Sequence, residues 1–368
     1  MLDFLNFKKK DTSFLGIDLG TNGVKIVQLG FEERRARLEN YVIVENLERQ
    51  DIGQNINEHI SSIPINKIAK NLAETIKETG ITAKKVTMSV PISSAFSSVV
   101  YLPNMADDEI PKAVNFEARR YIPIPLSEVV FGWNIISKEE VTESNKNSKS
   151  LKENGKIKVL LVAIPKETTN KYASIARLLK LELVALETES FSLARSLIGK
   201  RSGTFTIIDI GDRSTDITIV ENGNVLLGHS VSGIGGLEIT KIISHGLNID
   251  FQRAELLKRD MGSKLKSSNK NISEIILPIV SVIVSETKKI NNAYSRTNKK
   301  EVQKIILTGG SSNIAELVNS VYDGLKIAVE IGNPWENIAY NKVLSEKLKQ
   351  LSPHFSVAIG LALRGPED

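Results

Sequence analysis

Phe14-Leu-Gly-Ile-Asp18-Leu-Gly-Thr-Asn-Gly-Val-Lys25 joins a strand of buried type, over residues 14–18, to an alternating run over 24–29 through Gly20, Thr21, Asn22 and Gly23. Glycine and asparagine adopt positive φ at little cost, so the stretch reads as a tight β-hairpin with an acidic residue closing its first strand. The pattern returns far downstream. There, 205–210 is a strand, 211–214 a turn and 215–220 a second strand, built around Asp209-Ile-Gly-Asp-Arg-Ser-Thr-Asp216, and 225–231 adds a third strand. Two copies of strand, Asp-x-Gly turn and strand point to an internal duplication of the domain core. In each copy a carboxylate stands beside turn N–H groups and hydroxyls. That is a concavity for an anion next to an acid suited to a hydrated metal ion. One such hairpin alone is an ordinary turn; two facing each other can clamp a polyphosphate with Mg²⁺.

A third element supports the pair. Ile305-Ile-Leu-Thr-Gly-Gly-Ser311 is a buried strand whose Gly309 and Gly310 open a helix, letting backbone pass close to a flat ring or sugar. Glu255 and Lys258 lie at i,i+3 on a helix and offer an acceptor and a donor for ribose hydroxyls, although such a pair is also an ordinary surface ion pair. Around these motifs the periodicity predicts a strand over 38–44, a helix over 65–79 and a strand over 86–90. Further on it predicts helices over 236–246, 252–258, 273–293, 314–321 and 355–363 and a strand over 304–308. Residues 94–182 read differently, as strand, helix, strand, strand and helix, a small α+β unit. Its first helix, over 107–120, starts with acidic residues and closes on Arg119 and Arg120 before Tyr121-Ile-Pro123-Ile-Pro. Between its two central strands, 137–156 is too polar to order itself and is expected to be a flexible loop.

Composition narrows the function classes. The 368 residues suffice for about two domains, and 41% apolar with 25% charged residues is ordinary for a globular protein. Lys and Arg (48) exceed Asp and Glu (43) by only five, which gives no reason to expect a nucleic-acid partner. Zero cysteines exclude disulfides, thiolate metal sites and cysteine nucleophiles, and the four histidines lack ligand spacing. The longest apolar run, over 275–284, is about half of what a bilayer requires. Met1 to Lys10 places its charges after a short apolar stretch, the reverse of a secretory signal, so a frayed terminus and a cytoplasmic location are expected. P-loop, G-x-S-x-G and H-E-x-x-H motifs are absent, and Gly233-Ile-Gly235-Gly236-Leu-Glu lacks the last glycine of a dinucleotide fingerprint.

Taken together, the two hairpins and the Gly309-Gly310 motif resemble the actin-like ATPases. The segment from Leu102-Pro-Asn-Met-Ala-Asp-Asp-Glu-Ile to Phe116-Glu-Ala-Arg-Arg-Tyr-Ile-Pro-Ile-Pro is similar to the PilM type IV pilus assembly family and its relative, the division protein FtsA. Glu189-Ser-Phe-Ser-Leu-Ala-Arg and Ala358-Ile-Gly-Leu-Ala-Leu-Arg extend the likeness.

The resemblance implies an α/β, actin-like (ribonuclease H-like) two-lobed ATPase fold with an inserted small α+β subdomain. Its parts would be a first lobe (1–93 and 183–202), a partner-binding insert (94–182), and a second lobe (203–240, 241–300 and 301–351). A C-terminal helix (352–368) would return to the first lobe. It also implies ATP and Mg²⁺ between the lobes. Asp18 and Asp209 would hold the metal through water. Gly20, Thr21, Asn22, Gly23 and Lys25 would surround the phosphates with Gly211, Asp212, Ser214, Thr215 and Asp216. Gly235, Gly236, Glu255, Lys258, Gly309, Gly310 and Ser311 would line the nucleoside end. A carboxylate must orient any attacking water, and Glu187 and Glu189 remain open. Little or no ATPase activity is expected.

The same resemblance implies a cytoplasmic scaffold of a type IV pilus, or related type II secretion-like, machine. It would bind the N-terminal peptide of a PilN-like inner-membrane protein near Phe116, Arg119, Arg120, Tyr121 and Pro123. A pilus motor ATPase or platform protein and self-association are further partner expectations, and contact with the inner membrane would be indirect. Alternatives are an FtsA-like polymerising protein, disfavoured because Asp368 follows the last predicted helix without an amphipathic tail, and a sugar-kinase-type phosphotransferase.

Overall fold

In the first hairpin β1 (Ser13–Gly20) runs antiparallel to β2 (Gly23–Glu32), with Gly20 opposite Gly23 and Asp18 opposite Lys25. Both faces of this hairpin are covered. Leu15, Ile17, Val24 and Ile26 enter one core, and Val27 and Leu29 enter another. The computed structural model describes residues 13–33, 35–45, 64–138, 156–263 and 270–365. The N-terminal stretch over 1–10 and most of the polar segment over 137–156 lie outside them.

β3 (Arg35–Glu45) continues the meander antiparallel to β2. α1 (Ile65–Glu78) then buries Ile68, Ala69 and Leu72, one stripe at helical spacing, and β4 (Lys85–Val90) pairs parallel with β1. The insert follows. β5 (Phe96–Pro103), α2 (Ile110–Tyr121), β6 (Val129–Lys138) and β7 (Lys156–Pro165) form an antiparallel sheet of order β5-β7-β6 backed by α2. Ile110, Val114 and Ala118 of α2 pack on Val100, Leu102, Ile157, Val159 and Leu161. The other sheet face brings Leu160 into a cluster with Phe205, Val220 and Val225 of the second lobe. The helix begins three residues later than the sequence predicts, with a proline in its first turn, where the missing N–H is no loss.

α3 (Lys166–Leu178), counted with the insert from sequence, buries Tyr172, Ile175 and Ala176 in the same core as α1 and β1. Its packing is therefore with the first sheet. β8 (Glu182–Thr188) pairs parallel with β4, and α4 (Glu189–Leu193) runs into one π-helical turn, Ala194–Ile198, that ends at Gly199 with φ of 55°.

The second lobe repeats the plan. β9 (Thr204–Ile210), β10 (Ser214–Glu221) and β11 (Asn224–Ser232) form the meander, and Asp209 stands opposite Asp216. α5 (Gly236–Leu247), α6 (Phe251–Ser263) and α7 (Lys270–Asn298) follow. Next, β12 (Lys304–Thr308) pairs parallel with β9, α8 (Ala315–Leu325) crosses over, and β13 (Ala328–Ile331) pairs parallel with β12. The orders β3-β2-β1-β4-β8 and β11-β10-β9-β12-β13 are thus the same five-stranded topology with the same directions, as the paired hairpins predict.

β14 (Ile338–Ala339) adds an edge to the first sheet beside β3. α9 (Ser345–Leu351) leads to α10 (Ser356–Leu363), whose residues 356–362 are all buried. A Cβ on Gly16 of β1 would collide with the Ala358 carbonyl oxygen, and one on Gly360 with the Ser192 carbonyl oxygen. α10 is therefore wedged between β1 and α4. Among the described residues no helix is long and apolar enough to cross a membrane.

Candidate functional site

The carboxyl ends of β1 and β9 and the turn after β12 meet around one cavity of about 340 Å³. The first hairpin contributes Asp18, Gly20, Thr21, Asn22, Gly23 and Lys25, and the second contributes Asp209, Gly211, Asp212, Ser214 and Asp216. Gly236, Glu255, Lys258, Gly309, Gly310 and Ser311 complete it, so most of the residues singled out in the sequence share one site. Three do not line it. Thr215 points away, as strand alternation requires between Ser214 and Asp216, and its Oγ1 donates to the Ile234 carbonyl at 2.8 Å. A Cβ on Gly235 would stand 2.6 Å from the Asp212 carbonyl oxygen; this glycine lets α5 approach the second hairpin rather than a ligand.

The third is Glu187. Its carboxylate receives Arg195 at 2.7 and 3.1 Å and Arg364 at 2.5 Å, which locks the end of β8 to the chain after α10. Glu189, two residues on, begins α4 and lines the cavity. Of the two carboxylates left open by the sequence, Glu189 is the one that faces the site.

Each carboxylate in the cavity meets a different field. Asp18 is buried, accepts from Ser89 Oγ at 3.2 Å and has Lys25 Nζ at 3.7 Å. Burial, with Asp216 and Asp18 nearby, pushes the Asp209 carboxyl up to about 7 despite Lys25. Burial also raises Glu189, reinforced by the charges of Asp216, Asp18 and Asp209. Asp216 is raised by burial, against which Ser230, Glu189 and His229 act. The Tyr172 phenol, beneath Glu189 and Asp18, is raised by burial and by both charges. Few cations stand against this negative field, and a bound cation would relieve it.

The other end of the cavity is balanced. Lys258 Nζ lies 2.7 Å from Glu255, donates to the Gly236 carbonyl at 2.9 Å and sits 2.8 Å from Thr240 Oγ1. Arg259 Nε donates to Glu255 at 3.0 Å. Burial alone would raise Glu255, but Lys258, Thr240 and Arg259 outweigh it and hold the carboxyl at about 2. A Cβ on Gly236 would lie 2.7 Å from Ser311 Oγ, and Gly309 has φ of 88°, with its N–H on the Pro353 carbonyl at 3.1 Å. Any side chain at Gly309 would run into Asp209. Sequence reading missed Asn313, Gln350, Pro353 and His354, which line this end. Asn313 lies in a turn, and Gln350, Pro353 and His354 come from the end of α9 and the short 3₁₀ helix after it, which carry no motif.

The donor set fits magnesium and nucleotide. Hard carboxylate oxygens, hairpin N–H groups and a Gly-Gly turn converge on one cavity, and Asp216 Oδ1 is buried there without a hydrogen-bond partner. On the insert, Phe116 (68% exposed), Arg119, Arg120, Tyr121 and Pro123 all face solvent at the outer side and exit of α2, and Arg120 contacts Glu117 at 3.3 Å.

A family model described as type IV pilus assembly protein PilM matches residues 16–366. Among curated proteins, the cell division protein FtsA of Buchnera aphidicola subsp. Baizongia pistaciae (strain Bp) is 31% identical over 187 residues, 43% of this chain and 44% of that protein. The match spans less than half the length of that relative. Among solved structures, a PilM-PilN type IV pilus biogenesis complex has a TM-score of 0.75 at 23% identity, covering 96% of this chain and 98% of the other. EutJ from Carboxydothermus hydrogenoformans follows at 0.55 and 15%, covering 96% and 90%. MreB 5 of Spiroplasma citri bound to AMPPNP gives 0.53 and 14%, covering 96% of each chain. The fold is the actin-like ATPase fold expected from the paired hairpins.

Proposed function

Because the chain belongs to the PilM family of type IV pilus assembly proteins, we propose that it is an ATP-binding scaffold of a type IV pilus or closely related machine. It would hold the N-terminal cytoplasmic peptide of a PilN-like inner-membrane protein and connect it to the motor from the cytoplasmic side. The observation that carries the nucleotide part is the convergence of both Asp-x-Gly hairpins and the Gly309-Gly310 turn on a single cavity. Asp18 and Asp209 would hold magnesium through water, and the turns 20–23 and 211–214 would receive phosphates on backbone N–H groups. Lys25 would offset their charge. Glu255 and Lys258 would meet the ribose, where their mutual ion pair keeps both side chains oriented. The metal, when bound, supplies positive charge that allows polyphosphate beside carboxylates. Glu189 would orient a water, and turnover of the isolated protein is expected far below the ~10 per second of ordinary enzymes.

The partner part rests on the insert. An exposed aromatic pair, Phe116 and Tyr121, beside two arginines gives an extended peptide both apolar anchors and cationic orientation. The PilM–PilN complex among the structural neighbours supports that reading. Removing the whole insert is a poor test, since α3 would go with it and open the first-lobe core. Point variants are cleaner. Binding of a synthetic PilN-like N-terminal peptide is expected to fall at least tenfold in Phe116→Ala and Arg120→Ala while AMPPNP still raises the melting temperature. Unchanged peptide binding in both variants overturns the partner assignment, and no AMPPNP-induced shift in the wild-type protein overturns the nucleotide assignment.

A further inference from the structure

The hairpin register puts Asp216 where the duplicated lobe has Lys25. In the first lobe the residue opposite the strand-ending aspartate is a lysine, and in the second it is another aspartate. Like charges directly opposite each other on a strand pair are destabilising, so an Asp209/Asp216 pair needs a reason. Asp216 is 7% exposed and lines the cavity, and its Oδ1 has no hydrogen-bond partner. Buried carboxylate oxygens are ordinarily satisfied, and an orphan beside a cavity has room for a water or an ion. Glu189 and Ser230 are its hydrogen-bonding neighbours, and Glu189 lines the same cavity.

Charge sharpens the point. Asp18, Glu189, Asp209, Asp212 and Asp216 face the cavity with Lys25, while Lys258 and Arg259 are committed to Glu255. A nucleoside triphosphate brings about four more negative charges. One magnesium ion on Asp18 and Asp209 falls short of compensating both, which leaves the remainder to a further cation or to protons on the carboxylates.

We infer that the site takes a second divalent cation, held by Asp216 and Glu189 together with phosphate oxygens and water, and that this cation binds only with the nucleotide. The inference rests on the nucleotide reading above. Among the described residues no three acidic or imidazole groups stand preassembled as a metal cluster. A hard ion at this position must therefore draw its remaining ligands from the nucleotide and from solvent, as magnesium commonly does. The role of Asp216 is to supply the negative charge at a place Lys25 occupies in the other lobe, so the two hairpins grip a polyphosphate with opposite electrostatic means.

The test uses the full chain with AMPPNP and Mn²⁺. Equilibrium dialysis counts the manganese held per bound AMPPNP, and calorimetry in buffers of differing ionisation enthalpy counts protons taken up on binding. Two manganese ions per AMPPNP with little proton uptake are expected for the wild type. Asp216→Asn should hold one, bind AMPPNP at least tenfold more weakly, and melt without nucleotide at or above the wild-type temperature, which shows that it folds. One manganese ion per AMPPNP in the wild type, with or without proton uptake, overturns the inference, since protons then neutralise the carboxylates, but leaves the nucleotide reading intact. Two ions retained by Asp216→Asn overturn it as well. Absence of AMPPNP binding in the wild type removes both readings together.

Discussion

The two Asp-x-Gly hairpins have the same strand order, direction and turn placement, yet they oppose a different residue to the same aspartate. Asp18 faces Lys25 across β1 and β2, whereas Asp209 faces Asp216 across β9 and β10. The first pair is self-compensating, with Lys25 Nζ 3.7 Å from Asp18. In the second, burial and neighbouring acids push Asp209 up to about 7. A duplicated backbone has thus kept its geometry while its electrostatics diverged, and charge rather than shape distinguishes the lobes at the site.

The sharpest way to break this contrast is Lys25→Glu, which makes the first hairpin resemble the second. Exchanging attraction for repulsion in a buried site is worth about 4 kcal/mol. AMPPNP affinity measured by calorimetry should accordingly fall about a thousandfold. A loss under tenfold would show that Lys25 does not compensate the site.

Asp209→Asn removes one member of the like-charged pair. In the wild type burial and the neighbouring acids push the folded carboxyl from the ordinary 3.8 up to about 7, so the native state binds more protons between these pH values. Stability is therefore full below about pH 4 and declines as pH rises towards 7. The variant should lack that decline, gaining about 2 kcal/mol at pH 8 and little at pH 4 in urea unfolding, while losing nucleotide binding. Equal stability of both proteins at pH 8 would count against the buried pair.

Glu255→Gln is the control of opposite sign. The Glu255 carboxyl is held at about 2 in the fold, so its contribution is present above the usual carboxylate pKa and fades as pH falls. With the group partly solvated, a loss of about 1 kcal/mol at pH 7 is expected, shrinking as pH falls from about 4.5 to about 2. A loss that grows on acidification would contradict the ion-pair geometry. The smallest effect belongs to Ser89→Ala, which removes a single long donor from Asp18 while Lys25 still compensates the carboxylate; AMPPNP binding should weaken about threefold, ~0.7 kcal/mol, below the range of a full hydrogen bond to a charged group.

Much of this site was legible in sequence because glycines and acids at strand ends report local backbone needs, and both hairpins and the Gly309-Gly310 turn lie where their residues predict. Other parts depend on distant chain. Glu187 and Glu189 are two apart, so strand periodicity would place both on one face, but β8 stops at Thr188 and Glu189 already belongs to α4. Arg364, which pairs with Glu187, is no neighbour in sequence. β8 itself escaped notice as an edge strand with a mixed burial pattern, and α9 because Leu348 is its one fully buried residue. The surroundings of α3 were hard to read for a related reason: its apolar stripe announces a helix but not that Tyr172, Ile175 and Ala176 enter the core shared by α1 and β1.

The wedged position of α10 has a consequence for how the protein is made. Its buried helix closes the space between β1 and α4, and the glycines at 16 and 360 admit no substitute packing. β1 emerges early from the ribosome and α10 much later, after the entire second lobe. Val357 and Leu361 of the same helix pack with Phe205, Ile207 and Ile306 of the second lobe, so both lobes wait for α10 before their cores close. The last helix made is thus the one that seals both halves, and a chain stalled before it would display two lobes that share one unfilled seam.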